Sequence, residues 1–193
     1  MRLFVALDIP DEAVSYVGRI QRRIKQEIRA DRWQPLSNLH LTLHFLGEVE
    51  EALVPKICED MNLVSSIVEP FSLVMGQFGV FPHPDRPRVV WIGLEGQKKS
   101  LEQVHALLGK RFDLHQGLHY DKRNYHPHIT IARGPHRSCV FPLPLEEWNQ
   151  RFLEENSPHW KVGGIHLYQS ELRPGGAVHT IIHTSSFLPT PKP

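Results

Sequence analysis

The chain has 193 residues, which is enough for one substantial core or two small lobes, and length alone does not choose between them. Hydrophobic residues make up 40% and charged residues 22%, values that are ordinary for a globular protein and argue against a disordered or fibrous class. With 22 Lys and Arg residues against 21 Asp and Glu residues, the net charge is only +1, which excludes a broad basic surface but leaves room for a local basic cleft.

The N-terminal segment begins with a strand pattern and continues into a helix. Residues 2–7 are apolar and predict a strand, and Pro10 with Asp11 supplies the chemistry of a helix start. From Glu12 to about Arg29, apolar residues recur every three or four positions, which predicts an amphipathic helix. The opposite face of this helix is rich in Arg and Lys, and we interpret it as a solvated face rather than an RNA-contacting stripe.

Helix and strand patterns also mix along the rest of the chain. In order, the patterns predict a helix from about Glu50, strands at 71–80 and 86–94, a helix at 99–112, a short helix from about Leu145, and strands at 160–170 and 178–187. Residues 189–193 are predicted to be a disordered tail. The mixture predicts an α+β fold with helices on the outer faces of its sheets.

Cysteine usage and the N-terminus carry little functional signal. Cys58 and Cys139 lack the CxxC spacing of a zinc knuckle, so we expect reduced thiols. The apolar run at the N-terminus is too short for a signal peptide or a membrane span. We therefore expect a cytoplasmic protein without a membrane partner.

Two short segments, HLTLHFLG at 40–47 and HPHITIAR at 126–133, share a His-x-Thr core inside an otherwise apolar strand. Side chains two positions apart in a strand lie on the same face, about 6 to 7 Å from each other. Alternation therefore puts His40, Thr42 and His44 on one face of the first strand. In the second strand it groups His126, His128 and Thr130, while the intervening aliphatic residues face a core. The histidines of the two motifs lie 128 − 40 = 88 positions apart, and two similar lobes facing each other would explain this spacing.

Two facing imidazoles can act as base and acid on one displacement at phosphorus, because imidazole titrates near neutral pH. The hydroxyls of Thr42 and Thr130 are short, stiff donors that suit non-bridging phosphate oxygens. Arg133 could add a forked, charged contact to the same oxygens. Strict alternation would point Arg133 toward the core, however, so a twist or a bulge must redirect it.

Each of these residues also has a simpler interpretation. A single histidine in a strand is most often a hydrogen-bonded core residue, and it is the second copy of the motif that favours a catalytic role. Imidazoles on one face could instead hold zinc, but no Asp, Glu or Cys accompanies either pair at ligand spacing. Aromatic residues could stack a terminal base, although most are expected to be core or rim packing. The candidates are Phe45, Phe81, Trp91 and Tyr125. Tyr125 is preferred because it adjoins the second motif. Phe45 is expected on the buried face of its strand, together with Leu41 and Leu43.

The paired motifs resemble the two-histidine (2H) phosphoesterase superfamily, and within it the RNA 2′,3′-cyclic phosphodiesterases of the LigT/ThpR or "2′-5′ RNA ligase" family. The likeness covers almost the whole chain. It is carried, in the family's order, by the segments RLFVALDIP, HLTLHFLGEV, FGVFPHPDRPRVVWIGL, HPHITIAR and LYQSELRPGGAVHTII.

This resemblance implies a single bilobal domain over residues 1–188 with pseudo-two-fold symmetry, in which two antiparallel sheets line a central cleft and helices lie outside. It also implies hydrolysis of a terminal 2′,3′-cyclic phosphate to a 2′-phosphate without a metal or other cofactor. By analogy, His40 is the proton donor to the leaving 3′ oxygen and His128 is the base that activates water. Thr42, Thr130 and Arg133 contact the phosphate, and Tyr125 is a further candidate for substrate binding.

The expected partner is RNA ending in a 2′,3′-cyclic phosphate, tRNA fragments among them, and a monomer is expected. Two alternatives stay open at this level. The same residues would serve a phosphoesterase acting on a small cyclic phosphate or on a 2′-5′ linkage, including 2′-5′ ligation. A non-catalytic module that only binds RNA ends is the other alternative. Binding of phosphate alone, however, would not require a histidine at the same position of both motifs, since threonine and arginine would suffice.

Overall fold

The computed structural model describes residues 1–135 and 144–189 of the chain, so Cys139 and the predicted tail residues 190–193 lie outside the described residues. The described strands are β1 (Arg2–Leu7), β2 (Ala30–Trp33), β3 (Leu41–Glu48), β4 (Phe71–Phe81), β5 (Val89–Gly96), β6 (His128–Pro135), β7 (His159–Val162), β8 (Gly164–Arg173) and β9 (Gly176–Ser186). The described helices are α1 (Asp11–Ile24), α2 (Val54–Ser65), α3 (Lys98–Phe112) and α4 (Leu145–Phe152). None of these helices is long and apolar enough to cross a membrane.

The strands form two antiparallel sheets, as the α+β prediction requires. The first has the order β3-β1-β8-β9 and the second the order β2-β6-β5-β4-β7. Each sheet thus contains one of the two motif strands, β3 in the first and β6 in the second. The main hydrophobic core draws buried residues from both sheets and from the inner faces of α1, α2 and α3. The motif strands are therefore fixed to a common core on their aliphatic faces.

Two predicted elements differ from the structure, and both differences follow from strand pairing. The single strand predicted at 160–170 is two strands, because the chain passes at Gly163 from the second sheet, where β7 pairs with β4, to the first, where β8 pairs with β1. The helix α1 ends at Ile24, five positions earlier than predicted, because Ala30 to Trp33 form a strand that pairs with β6.

The basic residues Arg19, Arg22 and Arg23 of α1 are exposed, which agrees with the interpretation of a solvated face, and two of them also contact α4 or the residues that follow it. Arg19 forms an ion pair with Glu154, with a distance of 2.8 Å from its terminal nitrogen to Oε2. Arg23 donates to the main-chain carbonyls of Arg151, at 2.5 Å, and Phe152, at 3.1 Å. These contacts attach α1 to the end of α4. Two exposed arginines of α1 thus join this helix to α4 and the residues that follow it.

Candidate active site

Both histidine–threonine pairs line one small cavity between the two sheets. Strands β3 and β6 approach each other there. The cavity has a volume of about 40 Å³, and its walls include His40, Thr42, His128 and Thr130. The structure thus brings together two His/Thr pairs that lie 88 positions apart in the sequence.

The two imidazoles are oriented by the same hydrogen bond. Nδ1 of His40 donates to the main-chain carbonyl of Asn38 at 2.8 Å, and Nδ1 of His128 donates to that of His126 at 2.7 Å. A carbonyl oxygen can only accept, so Nδ1 carries the hydrogen in the neutral ring. In both histidines, Nε2 is then free to take up or release a proton. The two halves of the site repeat this arrangement at a separation of 88 positions, since 126 − 38 = 88.

A β-bulge in β6 turns Arg133 into the cleft. Thr130 pairs with Trp91 and Ala132 pairs with Val90, so Ile131 has no partner across the ladder. Ile131 and Ala132 are consequently both buried, although they are neighbours in a strand. The extra residue reverses the alternation, and Arg133 lines the same cavity as His128 and Thr130. This bulge accounts for the orientation that strict alternation did not allow.

The first motif contains the same bulge, and it corrects two expectations from alternation. In β3, Thr42 pairs with Ala6 and His44 with Val5, which leaves Leu43 unpaired. His44 is therefore buried, with 2% of its surface exposed, whereas Phe45 is 48% exposed and lines the cavity. Alternation had assigned His44 to the polar face and Phe45 to the core. Phe45 and Arg133 each follow their motif histidine by five positions, so they occupy equivalent places in the two halves.

Buried polar contacts hold both bulges. The side-chain amide of Gln21, on α1, donates to the carbonyl of Ile131 at 3.1 Å, and the same carbonyl accepts from the main-chain N–H of Gln34 at 2.8 Å. In the other half, Nε2 of His44 donates to the carbonyl of His105 at 2.8 Å. Since buried polar groups need partners, these contacts favour the bulged register over a regular ladder. His44 is thus an anchor between β3 and α3.

Each motif histidine packs against aromatic rings that limit its contact with water. The ring of His40 lies 4.7 Å from that of Phe4 and 5.3 Å from that of His179, measured between centroids. The ring of His128 lies 5.0 Å from Phe81 and 6.0 Å from Trp91. Both motif histidines are accordingly only partly exposed.

Burial lowers the pKa of both imidazoles, because it disfavours the charged form. For His40, burial followed by repulsion from His179 lowers the pKa to about 4. For His128, burial is again the main cause, and repulsion from His126 and Arg133 adds to it. The free site therefore favours two neutral imidazoles, each able to accept a proton at Nε2.

Two grooves of different chemistry open from the small cavity. The first, which we call the arginine groove, has a volume of about 520 Å³ and is lined by Arg2, Arg32, Arg133 and the end of the β8–β9 hairpin. The second, which we call the aromatic groove, has a volume of about 610 Å³ and is lined by Phe81, Tyr125 and His126. Phe45 and Arg133 line both grooves, since these residues stand where the grooves meet.

The aromatic candidates divide into groove walls and packing. Tyr125 has one ring face stacked on His105, at 4.0 Å between centroids, and its hydroxyl donates to the carbonyl of Thr42 at 3.3 Å. It therefore forms part of the groove wall and links this wall to the first motif strand. Trp91 lies beneath His126 and His128, over Gly79, where a Cβ would come within 2.0 Å of the indole. Of the four candidates, Phe45, Phe81 and Tyr125 line the aromatic groove.

Several residues of the site were not found by sequence reasoning. Gln34 and Asn38 line the small cavity, and His179 packs against His40 from β9. Arg2 and Arg32 line the arginine groove from two different sheets. None of these residues belongs to a His-x-Thr motif, and no residue pattern singled them out. The pairing of β2 with β6 brings Arg32 to the cleft, that of β1 with β3 brings Arg2, and that of β8 with β9 brings His179.

The zinc alternative requires several ligands in reach of one ion. Within residues 1–135 and 144–189, no group of three or more His, Cys, Asp or Glu side chains could hold a metal ion. The pair His126 and His128 has ring centroids 6.5 Å apart. His44, the second member of the other pair, is buried in contact with α3.

Comparison with known proteins decides the family. The sequence model of the 2′-5′ RNA ligase superfamily matches residues 9–173. The chain belongs to this superfamily. A relative from Aeropyrum pernix, named RNA 2′,3′-cyclic phosphodiesterase, is 40% identical over 148 residues, which cover 76% of this chain and 80% of the relative. A relative of the same name from Methanocaldococcus jannaschii is 30% identical over 183 residues, which cover 94% of this chain and 98% of the relative.

Solved structures of other proteins have the same fold. A protein from Thermus thermophilus superposes with a TM-score of 0.78 at 28% identity, over 97% of this chain and 98% of that one. Escherichia coli LigT superposes with a TM-score of 0.74 at 24% identity, over 96% of each chain. The predicted resemblance and the two-sheet α+β fold are thereby confirmed. The named relatives support a phosphodiesterase-type enzyme.

Proposed function

We propose that this superfamily member is an RNA 2′,3′-cyclic phosphodiesterase that hydrolyses a terminal 2′,3′-cyclic phosphate to a 2′-phosphate by two-histidine acid/base catalysis. The observation that carries the proposal is the pair of imidazoles on one cavity, each with Nδ1 bound to a carbonyl and Nε2 free. The two relatives described above are named RNA 2′,3′-cyclic phosphodiesterase, which supports the proposed reaction. RNA ends, tRNA fragments among them, are the proposed substrates.

In the proposed reaction, Nε2 of neutral His128 removes a proton from water, and the water oxygen attacks phosphorus. The bond from phosphorus to the 3′ oxygen breaks, and protonated His40 delivers its proton to that oxygen. The products are a 2′-phosphate and a free 3′ hydroxyl. Thr42 and Thr130 donate hydrogen bonds to the non-bridging oxygens, and Arg133 stabilises their charge.

The low pKa of His40 suits a proton donor in this scheme. A cation with a low pKa gives up its proton readily, although little of the free enzyme carries that proton at neutral pH. The bound phosphate supplies negative charge beside the ring, and this charge favours the protonated form. Substrate binding and protonation of His40 therefore support each other.

The direct test is to incubate the purified protein, in excess EDTA, with an oligoribonucleotide that ends in a 2′,3′-cyclic phosphate. We expect hydrolysis with a 2′-phosphate as the product, identified by its resistance to a 3′-specific phosphatase. No hydrolysis, or a 3′-phosphate product, would contradict the proposed reaction. Turnover of a cyclic mononucleotide in preference to the RNA would favour a small cyclic phosphate as the substrate.

The pH dependence of kcat/KM offers a second test. Both histidines have a lowered pKa in the free enzyme, that of His40 to about 4. Because kcat/KM reports the free enzyme, its bell-shaped profile is expected to be centred below pH 6.5, the ordinary imidazole value. The profile of kcat should lie at higher pH, since the bound phosphate raises the pKa of the donor. A flat profile would contradict acid/base catalysis by the two histidines, and a centre above pH 6.5 would contradict the lowering of their pKa by burial.

A further inference from the structure

The two grooves differ in the chemical group that each can bind. A terminal nucleotide has two parts that leave the ribose in different directions, the base and the phosphodiester linkage on its 5′ side. When the cyclic phosphate occupies the central cavity, each part must enter one of the grooves. The lining of the grooves therefore predicts the direction of the RNA strand.

Three arginines give the arginine groove an unbalanced positive charge. Arg32 and Arg133 are direct partners across β2 and β6, and burial, followed by repulsion from Arg32, lowers the pKa of Arg133. Arg2 lies on β1 near His179, and burial of that imidazole, followed by repulsion from Arg2, lowers its pKa. Among the ion pairs of the described residues, none joins Arg2, Arg32 or Arg133 to a carboxylate. Like charges placed side by side in this way are stabilised by an anion between them.

The carboxylate that lines this groove does not neutralise the three arginines. Asp121 is paired with Arg123, which also lines the groove. This pairing holds the pKa of Asp121 at about 2, chiefly through the hydrogen bond from Arg123. The two charges cancel locally, so the positive charge of Arg2, Arg32 and Arg133 remains available for a ligand.

The absence of a side chain at Gly176 leaves room for the guanidinium of Arg32 in the arginine groove. Its terminal nitrogen lies 3.0 Å from the point where a Cβ on Gly176 would stand, and Gly176 has φ +120. A side chain there would be strained and would displace the guanidinium. Glycine at this turn thus lets an arginine of the second sheet reach across the cleft to the β8–β9 hairpin of the first.

The aromatic groove has the opposite character. Phe81 and Tyr125 present rings to it, and Pro82 and Val89 add apolar surface. Flat apolar walls suit a base, because every base has a face that can stack on an aromatic ring. Its arginine besides Arg133 is Arg123, whose charge Asp121 balances.

We propose that the arginine groove binds the phosphodiester backbone on the 5′ side of the cyclic phosphate and that the terminal base occupies the aromatic groove. The ligand is single-stranded RNA, held by contacts to phosphate that do not depend on base sequence. This proposal rests on the proposed function for the position of the cyclic phosphate. It adds a second binding region, formed by Arg2 and Arg32, that the reaction itself does not require.

The test measures binding, so it does not depend on turnover. The probes are a 5′-fluorescein-labelled single-stranded RNA ending in a 2′-phosphate, followed by anisotropy, and adenosine 2′-monophosphate as a competitor. Arg2→Gln and Arg32→Gln are each expected to weaken RNA binding about 3- to 10-fold, and more than they weaken mononucleotide binding. Each should also lower the slope of log K against log salt concentration by about 0.7. The matched control is Arg22→Gln, which removes the same charge from the exposed side of α1.

The base is tested separately. Phe81→Ala is expected to weaken binding of the RNA about 5-fold or more, and to have no effect on an RNA whose terminal nucleotide is abasic. Equal weakening of RNA and mononucleotide by the arginine variants, or equal weakening by Arg22→Gln, would overturn the proposed path. Arginine-dependent binding without hydrolysis would support the path and contradict the proposed function, so the two failures are distinguishable.

Discussion

Replacing His40 or His128 with alanine is expected to lower kcat on cyclic-ended RNA by a factor on the order of 10² to 10⁴, because each variant removes a general acid or base. Steady-state rates with the RNA substrate would measure the loss, and circular dichroism would show that both variants fold. The double variant should lose little more than either single one, since the two groups act in one step.

His119→Ala is the matched control for these variants, because His119 is exposed and lies outside the small cavity and both grooves. We expect its kcat to equal that of the unmodified enzyme. A loss below about tenfold in His40→Ala or in His128→Ala would contradict acid/base catalysis by that residue. In the pH profile, His128→Ala should remove the fall in rate at low pH, because the base is lost. His40→Ala should remove the fall at high pH, because the acid is lost.

The second large effect is expected at Arg133. A hydrogen bond from a charged donor contributes about 1.5 to 3 kcal/mol, so Arg133→Gln should lower kcat/KM by about 10- to 100-fold. Arg133→Lys should recover part of the loss, because it keeps the charge and loses the forked geometry. Inhibition by inorganic phosphate should weaken in parallel, which would indicate contact with the phosphate rather than a structural role. Arg22→Gln again provides the charge-matched control, and equal kinetics in Arg133→Gln and Arg22→Gln would exclude this role.

The strands of the site were predictable from residue types, but the direction of some side chains was not. The His-x-Thr pairs were found because two identical patterns stand 88 positions apart. The bulges were hidden, since Leu43 and Ile131 are aliphatic and suit burial in either register. Consequently Phe45 was assigned to the buried face of its strand and His44 to the polar face, and both assignments were wrong. Only Arg133, whose chemistry conflicted with its parity, indicated that a strand departs from regular pairing.

The sequence patterns also failed to predict the short polar strand β2 and the break between β7 and β8. The sequence Ala30 to Trp33 has no apolar alternation, and β2 forms because β6 offers hydrogen-bonding groups on its free side. The sequence also gave no indication that the chain changes sheets at Gly163, because the residues of β7 and β8 have the pattern of one continuous strand. Arg32 lies on β2. The arginine groove could therefore not be found before the sheets were assembled.

The repeated bulge has a consequence for the regiochemistry of the reaction. A cyclic diester attacked in line has an entry side and a departure side, and two equivalent histidines would accept either. Two positions after the bulged residue, however, one half presents Phe45 and the other Arg133. Under the proposed mechanism, these two residues, rather than the histidines, orient the ribose. They would thus decide which ester bond is cleaved and which phosphate isomer is released.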